Sequence, residues 1–274
     1  MTNNKRGVAH PYSILKTVTI SKTPTGKYYA SLLFDTKQEE PEVVISGKVI
    51  GIDLGIKDFA VTNNGEKSSK YNNPKHLAKH EKNLVRKQKK LARCVKDSNS
   101  RLKAKRLVAR VYERISNARQ DFLHKLSRKI VNDNQVVVIE NLNVKGMVRN
   151  RKLAKAISDV GWGMFTNFLD YKLKEKGGKL LEIDRWFPSS KTCSSCLYQM
   201  NEMPLDVREW TCPSCGTHHD RDENAAKNIR AEGIRQLSVL GTRTAASGGD
   251  VRPKGGRKSV LRQSPIEVKQ LQGS

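Results

Sequence analysis

VVISGKVIGIDLGIKDFAVTNNG, residues 43–65, holds two apolar runs separated by Gly55-Ile56-Lys57. Each run has the length and β-branched content of a strand, and the glycine begins a turn, so two consecutive strands of one sheet are predicted with a turn over Gly55–Asp58. The first strand ends in Asp53. Further on, QVVVIENL at 135–142 is apolar without alternation, as a central strand buried on both faces requires, and its apolar run ends at Glu140. Trp162, Phe165, Leu169 and Leu173 make one apolar stripe on a helix over 161–176, and KLLEIDRW predicts a strand over 179–186. A third edge strand fits near Gly65–Tyr71. Upstream, the alternation of residues 14–35 is broken by TPTG, which reads as a hairpin, and an acidic, proline-containing connector follows over 36–47. The order of elements gives an α/β fold, one sheet covered by helices.

Between the sheet segments the periodicity changes. Leu77, Leu84 and Leu91 recur at seven, KDSNS breaks the pattern, and Val108, Val111, Ile115, Ala118 and Phe122 follow at three and four, so a helical hairpin is expected over 75–131. From Lys75 to Lys129 there are nineteen Lys or Arg against four Asp or Glu. Such a surplus repels itself unless an anionic partner neutralises it, and Lys87, Lys89, Lys90 and Arg93 are the residues proposed to meet nucleic acid.

The whole chain has the same bias. Its 274 residues carry 52 Lys+Arg against 27 Asp+Glu, a formal charge of +25, which argues against an enzyme of neutral metabolites and for a polyanionic partner. The 36% hydrophobic content suffices for a core. No apolar run reaches the length of a membrane span, and MTNNKRGVAHPYS lacks an apolar signal core, so a soluble, cytoplasmic, nucleoid-associated protein is expected, with no membrane partner.

Cys193-Ser-Ser-Cys196, fifteen intervening residues, then Cys212-Pro-Ser-Cys215-Gly216 supply four thiolates with the spacing of a structural Zn²⁺ site, a zinc ribbon. Gly216 lets the chain turn tightly after its knuckle. His218 and His219 are alternative ligands, read here as loop residues near the active edge, and Cys94 is a half-buried hydrophobe of the helical hairpin.

Three acids stand where a sheet edge would gather them: Asp53 and Glu140 at strand ends, and Asp222 at the start of a final helix. Cleavage of phosphodiesters by paired divalent ions needs converging carboxylates, whose hard oxygens suit Mg²⁺. Position alone leaves other roles open: a turn residue for Asp53, a surface residue for Glu140, a helix N-cap for Asp222. Asp58, Asp220 and Asp184 compete for the same role and are read as turn, loop and strand-edge residues.

GIDLGIKDFAV, VVVIENLNVKGM, the two Cys-x-x-Cys pairs and HDRDENAAKNI, in that order, resemble the C-terminal half of transposon-encoded TnpB proteins, also called OrfB-type, which are similar to the nuclease lobe of type V CRISPR effectors. The resemblance covers residues 10–254. It implies an RNase H-like, RuvC-type mixed sheet with the helical hairpin and the zinc ribbon inserted, cutting both strands of a DNA target after guide-RNA pairing. It also places the family's acids on Asp53 in GIDLG, Glu140 in VIENL and Asp222, the second Asp of DRD.

The expected organisation is a remnant of a barrel-like region over 1–47, the nuclease core over 48–189, the zinc ribbon over 190–218, a final nuclease helix over 219–236 and a disordered tail over 237–274. Family members carry a larger guide-gripping N-terminal part, whereas about fifty residues precede Asp53 here, so this chain alone is expected to show little guided cutting. Two other readings compete: a nucleic-acid-binding regulator without turnover, and a strand-joining transposase.

Overall fold

The computed structural model describes residues 14–35, 41, 43, 47–204 and 206–246, with side chains through 239. Its strands are β1 (Ile14–Lys22), β2 (Tyr28–Asp35), β3 (Val49–Leu54), β4 (Asp58–Asn63), β5 (Ser68–Asn72), β6 (Val136–Glu140), β7 (Lys179–Ile183), β8 (Glu209–Thr211) and β9 (His218–Asp220). The helices are α1 (His76–Ala92), α2 (Asn99–Asp133), α3 (Val144–Met147), α4 (Ala154–Val160), α5 (Trp162–Lys174) and α6 (Arg221–Ala246). Most of the 36–47 connector and the tail beyond 246 lie outside the described residues. No helix among the described residues is long and apolar enough to cross a membrane.

The chain divides into two units. One holds β1, β2, α1 and the first part of α2. Here β1 and β2 pair antiparallel, with Thr23 and Lys27 closing the turn and Gly26 in left-handed backbone. Leu84, Val111 and Ile115 are buried together, joined by Leu77 and Val108, so these members of the expected pattern form one helix–helix seam, whereas Phe122 packs against the sheet core instead. Ser98 starts α2 by accepting the Arg101 amide on its hydroxyl.

The second unit is built on a five-stranded sheet in the order β5-β4-β3-β6-β7. The expected edge strand is present as β5. Strands β3, β4 and β5 run antiparallel in sequence, whereas β3, β6 and β7 are parallel, which makes the sheet mixed. Its two faces are covered differently. Ile50, Ile52, Val137 and Ile139 point into a core with Leu123, Ile130, Phe165, Leu169 and Leu173 of α2 and α5. Val49, Val136 and Val138, on the opposite face, meet Ile229 and Leu237 of α6. Each fully buried aliphatic residue contributes about 1.5–3 kcal/mol, so the two-sided covering explains why the central strands read as unbroken apolar runs.

Gly51 sets how closely α6 sits on β3. A Cβ there would lie 2.3 Å from the Ala226 carbonyl oxygen and 2.5 Å from the Arg230 nitrogen, both backbone atoms of α6. A larger residue would push the helix off the sheet.

The boundaries depart from the sequence reading in three places. Residues 144–160 form two short helices that were not expected; Ile157 and Val160 bury the second, and Gly161, with φ 75°, ends it. The β7 strand stops at Ile183 because the Asp184 carboxylate accepts the Trp186 amide and turns the chain, so Asp184 is a turn residue rather than a strand-edge residue. Finally, α6 runs to Ala246, not 236, since Leu237 is drawn into the α6 face of the core; the rest of the expected tail lies outside the described residues.

Candidate functional site

In the parallel pair β3–β6, Ile52 lies opposite Ile139, so the next residues, Asp53 and Glu140, stand side by side at the carboxyl ends. Side chains alternate along a strand, which puts Asp53 on the face of Gly51 and Glu140 on the face of Val138. That is the face covered by α6. Asp222 lies one turn before Ala226, the residue pressed against Gly51, and so enters the same corner from the helix start.

The electrostatics record the convergence. Burial, then the charges of Glu140 and Asp222, push the Asp53 carboxyl up to about 8, against the opposing pull of Arg221 and Arg208. Burial also raises Glu140, while a short hydrogen bond from the Ser189 hydroxyl to its Oε1 lowers it. Arg208 Nη1 lies 3.6 Å from Asp222 Oδ2. Like charges held in a desolvated corner suit a cation that would offset them, and an all-carboxylate donor set suits a hard divalent ion such as Mg²⁺. Among the described residues, the set whose ligand atoms all lie within 4.8 Å of one another is the four cysteines; the three acids are not gathered that tightly.

The competing acids separate by geometry. Asp58 opens β4 at the turn. Asp220 is not the solvated loop residue expected: it ends β9, and its Oδ1 accepts the amides of Asp222 at 3.1 Å and Glu223 at 3.0 Å. The N-cap of α6 is thus Asp220, so the Asp222 carboxylate, paired with Arg208, is not the cap. Lys70 of β5 holds Asp220 Oδ2 at 2.6 Å and Glu223 at 3.4 Å.

Cys193, Cys196, Cys212 and Cys215 form a cluster that could hold a metal ion. Cys193 and Cys215 sulfurs are 3.7 Å apart and Cys196 and Cys212 3.6 Å, too long for a disulfide and close to the ~3.8 Å edge of a tetrahedron with ~2.3 Å metal–sulfur bonds. The two knuckles repeat one backbone design. Leu197 donates to the Cys193 carbonyl and Gly216 to the Cys212 carbonyl, and both take left-handed backbone, φ 65° and 70°. The histidines are strand residues of β9, not loop residues. His219 is buried with Nε2 3.0 Å from Cys193 Sγ, as an N–H donor to a thiolate would be, and its ring lies against Trp210.

On α1, Lys89, Lys90 and Arg93 line one surface depression with Lys82 and Arg86. Lys87 is not among the residues that line it. Cys94 lies at its rim, partly exposed.

Sequence reading missed Ser189, Lys70, Lys82, Arg86, Asn224 and Asn228. Only PSS and the spacing of the two asparagines carried a signal, and neither names a partner on its own.

Comparison with known proteins agrees with this layout. Residues 33–151 match the family model OrfB_IS605, described as "Probable transposase", and residues 162–229 match the Cas12f1-like TNB domain. A Streptomyces pristinaespiralis protein is 44% identical over 253 residues, 90% of this chain and 59% of its own length. InsQ of Escherichia coli K12 is 30% identical over 240 residues, 82% of this chain and 58% of its own. The names of both carry the words RNA-guided DNA endonuclease. The chain therefore spans somewhat over half the length of these relatives. A CRISPR-Cas12f ternary complex shares the fold at a TM-score of 0.51 and 22% identity, over 78% of this chain and 44% of that one. With the OrfB module in its first half and the TNB module after it, the chain is similar over most of its length to TnpB, or OrfB-type, proteins.

Proposed function

We propose that residues 48–189 and α6 form an RNase H-like, RuvC-type nuclease core that hydrolyses DNA, with Asp53, Glu140 and Asp222 as Mg²⁺ ligands and the four cysteines as ligands of a structural Zn²⁺. The observation that carries this reading is geometric: parallel register sets Asp53 and Glu140 side by side at the carboxyl ends of β3 and β6, on the face covered by α6, whose start carries Asp222. When bound, Mg²⁺ lowers the pKa of an attacking water and offsets charge developing on the phosphate. The protein's own part is positional. Two strand ends and a helix start hold the acids, Asp220 fixes the first turn of α6, and Arg208 balances Asp222. A guide RNA and a DNA target are the partners that the names of the relatives support, and residues 14–35 are read as the end of a barrel-like region.

The direct test supplies labelled DNA, with RNA from the flanking genomic region, to the chain and to a version extended with the N-terminal part of the Streptomyces relative. Mg²⁺ should support cutting by the extended protein and EDTA should stop it. Cutting that persists in EDTA rejects the metal reading, and binding without cutting under all conditions favours the regulator.

The basic face of α1 is assigned to nucleic acid, and its test needs no turnover. Each neutralised phosphate contributes about −0.7 to −0.9 to the slope of log affinity against log salt. Replacing Lys82, Arg86, Lys89 and Arg93 by Gln should therefore flatten the slope by about three to four. An unchanged slope would remove this face from the interface.

A further inference from the structure

We propose that the first cysteine knuckle fixes the Glu140 carboxylate in place, through a hydrogen-bonded route running from α6 by Asn224 and Asn228 to Ser189 and from Ser189 to Glu140. The inference rests on Glu140 being a metal ligand and deepens that reading: it makes Ser189 and the asparagine pair positioning residues, and it makes the two metal sites dependent on one another.

The route is continuous. Asn224 and Asn228 are one turn apart on α6, both buried, and so face the same way. Asn228 Nδ2 donates to the Ser189 carbonyl at 2.7 Å and to the Thr192 carbonyl at 2.6 Å. Asn224 Nδ2 donates to the Thr192 carbonyl at 2.7 Å, and its Oδ1 accepts the amide of Ser194, inside the knuckle, at 2.9 Å. The segment between is tightly turned: Lys191 and Thr192 amides both donate to the Pro188 carbonyl at 3.1 Å, and the Thr192 hydroxyl does so at 2.9 Å. Cys193 then begins its knuckle, with its amide on the Tyr198 carbonyl at 2.8 Å. At the other end the buried Ser189 donates its hydroxyl to Glu140 Oε1.

Two asparagines are an economical way to hold such a loop. Each amide group offers donors and an acceptor in a fixed plane, so buried carbonyls at 189 and 192 and the amide at 194 are satisfied by side chains rather than by water. The helix that presents these asparagines also presents Asp222, two residues before Asn224. Displacing the knuckle would therefore move the Glu140 hydrogen bond while leaving Asp222 on its helix, altering the spacing between ligands. Outer partners of this kind typically govern about 10–100-fold in metal affinity.

The test uses the full chain and Mn²⁺ alone, followed by electron paramagnetic resonance, with zinc content measured on the same samples. Ser189→Ala should weaken Mn²⁺ binding about tenfold with zinc stoichiometry unchanged, and Ser189→Thr, which keeps the hydroxyl, should restore it to within about twofold. Asn228→Leu should weaken Mn²⁺ binding in the wild-type background and add little to Ser189→Ala, because both act on one route. Cys196→Ser should behave as Asn228→Leu does; should that variant not fold, the Asn228 and Ser189 cycle carries the same test. Unchanged Mn²⁺ affinity in Ser189→Ala, equal loss in Ser189→Thr, or additive losses in the cycle would each overturn the route. Wild-type binding that Asp53→Ala leaves intact would instead reject the acids as the metal site, and the positioning role with them.

Discussion

Alanine at Asp53, Glu140 or Asp222 is expected to lower cleavage by the extended protein at least about a thousandfold, the equivalent of roughly 4 kcal/mol of lost charge stabilisation at ~1.36 kcal/mol per tenfold. Salt-sensitive binding should stay within about twofold, since the basic face of α1 carries none of these acids. Replacing Asp53 by Asn should at the same time raise the melting temperature of the metal-free protein near neutral pH, because burial above all pushes this carboxyl up to about 8, so folding must hold it protonated where the unfolded chain ionises it, and Asn carries no such cost. Asp220 gives the contrast. Asp220→Ala deletes the cap of α6 and the Lys70 partner, at a cost of about 0.5–2 kcal/mol, and cleavage should fall less than for Asp222→Ala. Asp220→Asn keeps a capping oxygen and should recover most of the loss, whereas Asp222→Asn should not. If Asp220→Asn were as inactive as Asp222→Ala, or Asp222→Ala cut normally, the third ligand would have been misassigned. Quenched-flow or gel assays at saturating Mg²⁺, run beside thermal melts, separate the two effects.

Removing the cysteine-bound metal should have the largest effect on folding. Structural zinc in finger peptides contributes about 10–16 kcal/mol at neutral pH, and the ribbon's own core is small: Cys193, Met203, Trp210 and Cys212, with Met200 and Val207 at its edge. Two of those four belong to the cysteine cluster proposed to hold the metal, so the metal and the apolar cluster should stand or fall together. Cys212→Ser is expected to lose stoichiometric zinc and to unfold residues 190–218 while the five-stranded sheet persists. Trp210, buried beside Cys212 and against His219, is the reporter: its emission should shift to the red and its quenching by acrylamide should rise. Trp162 is buried in the sheet core and Trp186 is 80% exposed, so neither should change. A variant that retains zinc at full affinity, or a purified wild-type protein without stoichiometric zinc, would refute the four-thiolate site.

How much of this was legible beforehand follows from which forces are local. The central strands announce themselves because burial on both faces selects unbroken apolar runs, as at 49–54 and 135–140, and the helical hairpin because Leu77, Leu84, Val108, Val111 and Ile115 recur at the spacing of one face. Each cysteine knuckle is short enough that spacing alone brings its own two sulfurs together, and two such knuckles in one chain read as one four-sulfur cluster. Candidate acids were legible as residues ending such runs. What was not legible is which acid does what at the start of α6, because Asp220 and Asp222 differ only in whether the backbone turns one carboxylate back onto the helix amides.

By itself, then, the sequence determined the strands, the amphipathic helices, the two cysteine knuckles and the sign of the surface, all of which depend on neighbours within a few residues or on composition. Only the tertiary structure decided the meeting of Asp53, Glu140 and Asp222, the cap on α6, and the reach of Ser189 to Glu140. Those depend on parallel register between strands more than eighty residues apart and on a helix backbone admitted to the sheet at Gly51, and such long-range packing leaves no periodic trace in the chain.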